Sequence, residues 1–88
     1  MLVRYFAAAR AAAGSEEEIF QLPEGATVAD LLAAVTAVER SAPPAGTPPL
    51  PRLLARSSFL LNEVAVRDHA TVLGPDDVVD VLPPFAGG

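Results

Sequence analysis

The sequence predicts an α+β fold, a mixed sheet of four to five strands packed on one main helix. Three observations carry this. Short segments of alternating apolar and polar residues open and close the chain, at residues 2–7 and 78–82. Between them Val28, Leu31, Leu32, Val35 and Val38 recur at helical spacing. With 88 residues, 51% of them hydrophobic, the chain can build a single modest core.

Residues 2–7 read as a strand whose side chains alternate between faces. Leu2, Arg4 and Phe6 share one face; Val3, Tyr5 and Ala7 share the other. Arg4 marks the wetter side, so Phe6 is expected on the open face. Residues 8–13 are Ala-rich and read as a short helix that Gly14 stops. Glu16, Glu17 and Glu18 are expected in a solvated turn, with residues 18–22 forming a second strand, antiparallel to the first. Pro23-Glu24-Gly25 is a turn. Thr27 to Asp30 resembles a capping box, with Asp in the place of Glu or Gln, and the helix is expected over residues 28–39.

Residues 41–51 hold five prolines and Gly46. Such a stretch reads as a surface loop, neither helix nor central strand. Residues 52–56 add a helical turn. Residues 58–61 form a strand, Asn62-Glu63 turns the chain, and residues 64–66 return as a short strand. Leu60 shares a face with Ser58 and is expected to be partly exposed. Residues 68–74 are loop with a brief extended piece, and Pro75-Asp76-Asp77 is a type I turn. In the last strand, residues 78–82, Val79 and Val81 point to the core. Asp80 marks the wet face, shared with Val78 and Leu82. The order β-β-α-β-β-β on one main helix is the β-grasp, or ubiquitin-like, layout. Residues 1–82 are expected to form the domain and residues 83–88 a flexible C-terminal tail, stiffened where it leaves by Pro83-Pro84. If the first and last strands lie side by side, Phe6 and Leu82 become neighbours in an apolar patch beside the tail root, and such patches mark partner surfaces.

Composition excludes several functions. The net charge is −5 and all six cations are Arg, so no basic stripe for nucleic acid exists. An acidic surface suits a partner with a basic docking face. No apolar run approaches the roughly 20 residues of a membrane span, and the N-terminus lacks the pattern of a signal peptide. Without cysteine there is no disulfide, thiolate nucleophile or Cys-based metal site. The expected compartment is the cytoplasm, with no nucleic acid or membrane among the partners. His69, the only histidine, sits beside Asp68 and reads as a solvated turn residue, since a metal site needs several ligands. Asp76, Asp77 and Asp80 read as turn chemistry and edge protection. Arg4 and Arg10 read as ordinary surface charges. Ser57 and Ser58 lack the setting of a nucleophile. No Gly-rich phosphate loop is present, so the chain is not expected to bind ATP or another cofactor.

The chain closes on Gly87-Gly88. A terminal carboxyl is an anion at neutral pH and a poor electrophile, so it reacts only if another protein activates it. Two residues without Cβ let such a tail thread a narrow channel in extended form. This points to a carrier whose active group is the carboxyl of Gly88.

Val3-Arg4-Tyr5-Phe6-Ala7-Ala8-Ala9-Arg10, then Leu61-Asn62-Glu63, Gly74-Pro75-Asp76-Asp77-Val78 and Pro83-Pro84-Phe85-Ala86-Gly87-Gly88, resemble the MoaD/ThiS ubiquitin-like family of sulfur carriers. Within it the match is to the small subunits of molybdopterin synthase. The likeness covers nearly the whole chain except the Pro-rich loop, which looks like an insertion. The resemblance implies that an E1-like adenylyltransferase uses ATP to adenylate Gly88, and that a sulfur donor protein then supplies sulfur to give a thiocarboxylate. The tail, with Phe85, Ala86 and Gly87, would enter the active site of the large synthase subunit and donate sulfur for the molybdopterin dithiolene. Most catalytic residues would then belong to that partner. Phe6, Leu82 and Phe85 match the family's hydrophobic contact surface, with Pro83 and Pro84 beside them. Leu60 joins by the strand-face argument alone. Carriers for thiamine or cysteine synthesis share the Gly-Gly ending, as do ubiquitin-like modifiers, and an interaction module remains a further reading.

Overall fold

The computed structural model describes residues 1–84. The elements run β1 (Leu2–Tyr5), α1 (Ala7–Ala13), β2 (Glu17–Ile19), α2 (Val28–Ala37), α3 (Leu50–Leu54), β3 (Ser58–Leu61), β4 (Val64–Ala65) and β5 (Val78–Leu82). The five strands form one mixed sheet in the order β2-β1-β5-β3-β4. β5 is central. It runs parallel to β1, with Leu2 opposite Val78 and Tyr5 opposite Val81, and antiparallel to β3, with Ser58 opposite Leu82 and Leu61 opposite Val79. The mixed sheet on a main helix is the β-grasp layout expected from the element order.

The core lies on one face of the sheet. Val3, Tyr5, Val79, Val81 and Phe59 meet Val28, Leu31 and Val35 of α2 and Leu50, Leu53 and Leu54 of α3. Val3 and Tyr5 point inward while Arg4 points outward, as strand alternation requires. Helix α1 packs through small side chains, Ala9, Ala12 and Ala13, and ends where Gly14 takes φ 77° and donates to the Arg10 carbonyl. At the start of α2 the expected capping box forms. Thr27 Oγ1 accepts from the Asp30 amide at 3.3 Å, and Asp30 Oδ2 accepts from the Thr27 amide at 2.9 Å.

Several boundaries differ from the sequence reading: β1 ends at Tyr5 rather than residue 7, where the chain bends into α1, and β2 covers Glu17–Ile19 rather than residues 18–22. Helix α2 stops at Ala37 rather than residue 39, and Val38 is extended. Arg40 folds back there and donates to the carbonyls of Val35 at 3.2 Å and Ala13 at 3.0 Å. It thereby supplies partners that continued helix would otherwise give to the last turn. Helix α3 begins at Leu50, inside the supposed loop, because Pro51 falls in its first turn, where a missing N–H costs nothing. The glutamates at 16–18 are no simple turn. β2 starts at Glu17, and Glu18 points into a polar network beneath α2. Farther on, β4 keeps two residues of the three expected.

That network is part-buried and ties β1, β2 and the end of α2 together. Arg40 donates to both carboxylate oxygens of Glu18, at 2.7 and 2.9 Å, and the Tyr5 hydroxyl donates to Glu18 Oε1 at 2.7 Å. The guanidinium carbon also lies 5.8 Å from the Tyr5 ring centroid. The Arg40 hydrogen bonds hold the Glu18 carboxyl below the usual carboxylate range. Burial, aided by Glu18, pushes the Tyr5 phenol well above its ordinary value.

A second polar cluster fixes the far end of the sheet. The two-residue turn of the β3–β4 hairpin places Asn62 at φ 48° and Glu63 at φ 71°, the left-handed pair that a tight hairpin needs. Asn62 Nδ2 donates to Asp77 Oδ1 at 2.9 Å, and Asn62 Oδ1 accepts from the Val78 amide at 2.9 Å. The Gly74 amide donates to Asp77 Oδ2 at 2.6 Å, which with the Asn62 contact holds the Asp77 carboxyl below its ordinary range. Two motifs singled out in the sequence, at residues 61–63 and 74–78, are thus halves of one hydrogen-bonded clamp on the start of β5.

Glu18→Gln weakens hydrogen bonds to a charged group, a loss of about 2 kcal/mol. In a domain of this size that lowers Tm by roughly 8–16 °C in a thermal melt. The Glu18 carboxyl is depressed in the folded state, so its contribution is complete above the ordinary carboxylate range and fades as pH falls through it. The variant therefore loses less stability on acidification than the parent. Asn62→Ala breaks the clamp and places Ala at a left-handed φ, at a combined cost of about 2 kcal/mol in urea unfolding.

Candidate functional site

All three helices lie against one face of the sheet, leaving the other face open among the described residues. Its outward positions can be read from the registers. Leu2 and Arg4 of β1 stand opposite Val78 and Asp80 of β5, and Leu60 of β3 stands opposite Asp80. One step beyond Tyr5, still extended at φ −124° and ψ 151°, Phe6 comes beside Leu82. Phe6 is 41% exposed, Leu82 and Leu60 are half-buried, and Pro83 and Pro84 carry the chain off the sheet from the end of its central strand. The expected neighbourhood of Phe6, Leu60, Leu82, Pro83 and Pro84 is therefore gathered on one face around the tail root. Phe85, Ala86, Gly87 and Gly88 lie outside the described residues.

Phe6 is set by its neighbour. Ala7 takes φ 51°, which no glycine relieves, and the chain bends there from strand into α1. The bend frees Phe6 from the sheet and turns Ala9 into the core. Beside it a depression of about 370 Å³ is walled by Phe6, Arg4, Arg10 and Glu16. Arg10 and Glu16 meet at 3.0 Å on the exposed surface, a contact worth little in stability.

Arg4 and Asp80 behave differently from the sequence expectation. Asp80 is not on a wet surface and protects no edge: it is 4% exposed, on the central strand. Arg4 Nε donates to Asp80 Oδ1 at 2.6 Å and Arg4 Nη2 to Oδ2 at 2.8 Å. This two-pronged hydrogen bond holds the Arg4 guanidinium above its already high value. Opposite charges in register on adjacent strands form a cross-strand pair, so the pairing was available from the sequence once β1 and β5 were set side by side.

The remaining candidates are placed as follows. His69 is exposed and meets Phe59 edge to face, with ring centroids 5.5 Å apart. The Ser57 hydroxyl donates to the Leu53 carbonyl at 2.6 Å. Among the described residues no group of three His, Cys, Asp or Glu side chains could hold a metal ion, and no helix is long and apolar enough to cross a membrane. Beyond hydrogen bonding, the face offers no reactive side chain. Its chemistry is that of apolar side chains around the Arg4–Asp80 ion pair, with Glu17 opposite Arg4 and Ser58 opposite Leu82, beside the end of β5.

The family is decided by residues 3–88, which match the ThiS family. The chain belongs to the ThiS family. It is 36% identical over 87 residues to the molybdopterin synthase sulfur carrier subunit of Chlamydomonas reinhardtii, covering 98% of this chain and 95% of that relative. SAMP1 from Haloferax volcanii has the same fold, with a TM-score of 0.79 at 24% identity over 100% of this ThiS-family chain and 98% of SAMP1. So does a chain of the complex of subunits 1 and 2 of the molybdopterin-converting factor from Helicobacter pylori, with a TM-score of 0.66 at 23% identity over 99% and 96%. At these identities the two solved structures establish the β-grasp fold.

The strained bend gives a test with two signs. Ala7→Gly relieves the left-handed backbone and stabilises by about 0.5–1 kcal/mol, whereas Ala7→Val, branched at Cβ, destabilises by at least as much. Urea midpoints of the two variants should fall on opposite sides of the parent.

Proposed function

We propose that this chain is the sulfur-carrier subunit of a molybdopterin synthase. The observation that carries the proposal in the structure is the exit of the chain. β5, the central strand, ends at Leu82 beside Phe6, so the tail departs next to the apolar pair at that end of the open face. A surface that docks a partner and a tail that enters that partner then share one origin. The 36% identity over nearly the whole chain to a named sulfur carrier subunit supports the same reading.

In this reading ATP bound by an E1-like adenylyltransferase reacts with the Gly88 carboxylate, forming an acyl adenylate and releasing pyrophosphate. Hydrosulfide delivered by a donor protein attacks the carbonyl carbon and AMP leaves, giving the thiocarboxylate. Fully extended, residues 83–88 span roughly 20 Å at about 3.3–3.6 Å each, enough to carry the sulfur away from the sheet. The large synthase subunit covers Phe6, Leu60 and Leu82, takes Phe85 to Gly88 into its active site and supplies most of the catalytic residues. The sulfur passes to the nascent dithiolene of molybdopterin as water attacks the Gly88 carbonyl carbon, breaking its bond to sulfur and returning Gly88 to the carboxylate. The carrier itself holds no cofactor and acts in the cytoplasm.

Phe6→Asp or Leu82→Asp weakens association with the large subunit by tenfold or more, because a charge then replaces an apolar contact at the centre of the interface. Phe6→Asp leaves Tm nearly unchanged, since that side chain is largely outside the core. A large fall in Tm with Phe6→Asp would place Phe6 in the fold instead. Intact mass of the untagged protein from its own host shows a species heavier by one exchange of oxygen for sulfur, localised to Gly88. Deleting Gly88 or adding a residue after it abolishes that species while the melting curve is unchanged. Conjugates on target lysines in place of the thiocarboxylate would move the assignment to a modifier.

A further inference from the structure

The Arg4–Asp80 pair lies on the open face with apolar neighbours along both strands, while Glu17 of β2 stands opposite Arg4 and neither Glu17 nor Glu63 accepts a hydrogen bond from it among the described residues. Leu2 and Phe6 flank Arg4 along β1, Val78 and Leu82 flank Asp80 along β5, and Leu60 stands opposite Asp80 on β3. We propose that Arg4 is the polar anchor of this face, offering its outward N–H groups to an oxygen acceptor on the large subunit and so fixing how the two proteins align. This rests on the reading that the open face docks that subunit.

The argument is one of hydrogen-bond supply. A guanidinium carries five N–H donors. Nε and Nη2 each give one to Asp80, and among the described residues no other acceptor takes the remainder. The Asp80 side chain is 6% exposed while that of Arg4 is 37% exposed, so the carboxylate is already covered and the free donors face outward. A partner that covers the surrounding apolar side chains strips water from those donors. Leaving them unmade is costly, so a well-fitted partner presents an oxygen there. Asp80 also holds the guanidinium in place before docking, which reduces the ordering that binding requires. A protein that sets bare apolar surface or a cation over Arg4 is disfavoured, which makes the pair a means of discrimination as well as alignment.

Calorimetric titration of the full chain with the large subunit tests this in three variants. Arg4→Met with Asp80→Leu replaces the pair by apolar side chains, a change that generally leaves stability unchanged or raised. It should melt within a few degrees of the parent and bind about tenfold or more weakly. Arg4→Lys keeps a charge beside Asp80 but loses the fork, and should weaken binding in the same direction. It gives the same reading should the double variant lose its fold. Phe6→Asp is the third arm. Parent-like affinity of the double variant and of Arg4→Lys, with binding abolished by Phe6→Asp, overturns the anchor and leaves the docking face standing. Parent-like affinity of all three overturns the docking face itself, and the anchor with it.

Discussion

The parallel pairing of β1 with β5 is the constraint on which the rest of the molecule depends. It joins the first strand to the last, across more than 70 residues, as the partners Leu2–Val78 and Arg4–Asp80 show. A contact so distant in sequence carries a large loop-closure cost, and it is met by burial of Val3, Tyr5, Val79 and Val81 on one side of the sheet. The same pairing places Arg4 on Asp80 and Phe6 beside Leu82 on the other side. Core and open face are therefore two consequences of one register. A slip of one residue would exchange them, turning Asp80 inward and Val81 outward.

Polar groups hold that register from both ends. Asn62 and Asp77 pin the start of β5 to the neighbouring hairpin, and the Asp77 carbonyl accepts from the Leu2 amide at 3.0 Å where β1 begins. At the other end Tyr5 meets Glu18, and Arg40 ties both to the end of α2. The helix layer and the sheet are thus locked together near where the chain turns toward Phe6. The buried side-chain polar atoms of the described residues all have partners, so little of this cost is left uncompensated.

Much of this was legible in the sequence, and the reasons differ by element. Strands β3 and β5 and the capped start of α2 followed from alternation, turn residues and a capping box, all of which are local signals. The open-face positions of Phe6, Leu60 and Leu82 followed from period two alone. Asp80 was misread because a carboxylate in a strand ordinarily marks water. Only the partner strand reveals that Arg4 lies over it. The end of α2 was misplaced because Arg40 caps it from three residues beyond, a contact that leaves no periodic trace. The start of α3 was hidden by Pro51, which forbids a helix interior and is welcome in a first turn. Family resemblance was legible in the motifs at residues 61–63 and 74–78, but their joint structural role appeared only when Asn62 was seen bonded to Asp77.

The exit of the tail from a central strand also has a mechanical side. A partner that draws residues 83–88 into a narrow pocket exerts tension on Leu82, and that tension passes directly into β5. There it meets two ladders of hydrogen bonds, to β1 and to β3, both lying across the direction of pull. The load is shared by the whole strand in shear. Had the tail followed an edge strand such as β4, with one partner and two residues, the same pull could peel it away pair by pair. Any such pull would be borne by the central strand and its two neighbours, leaving the body folded.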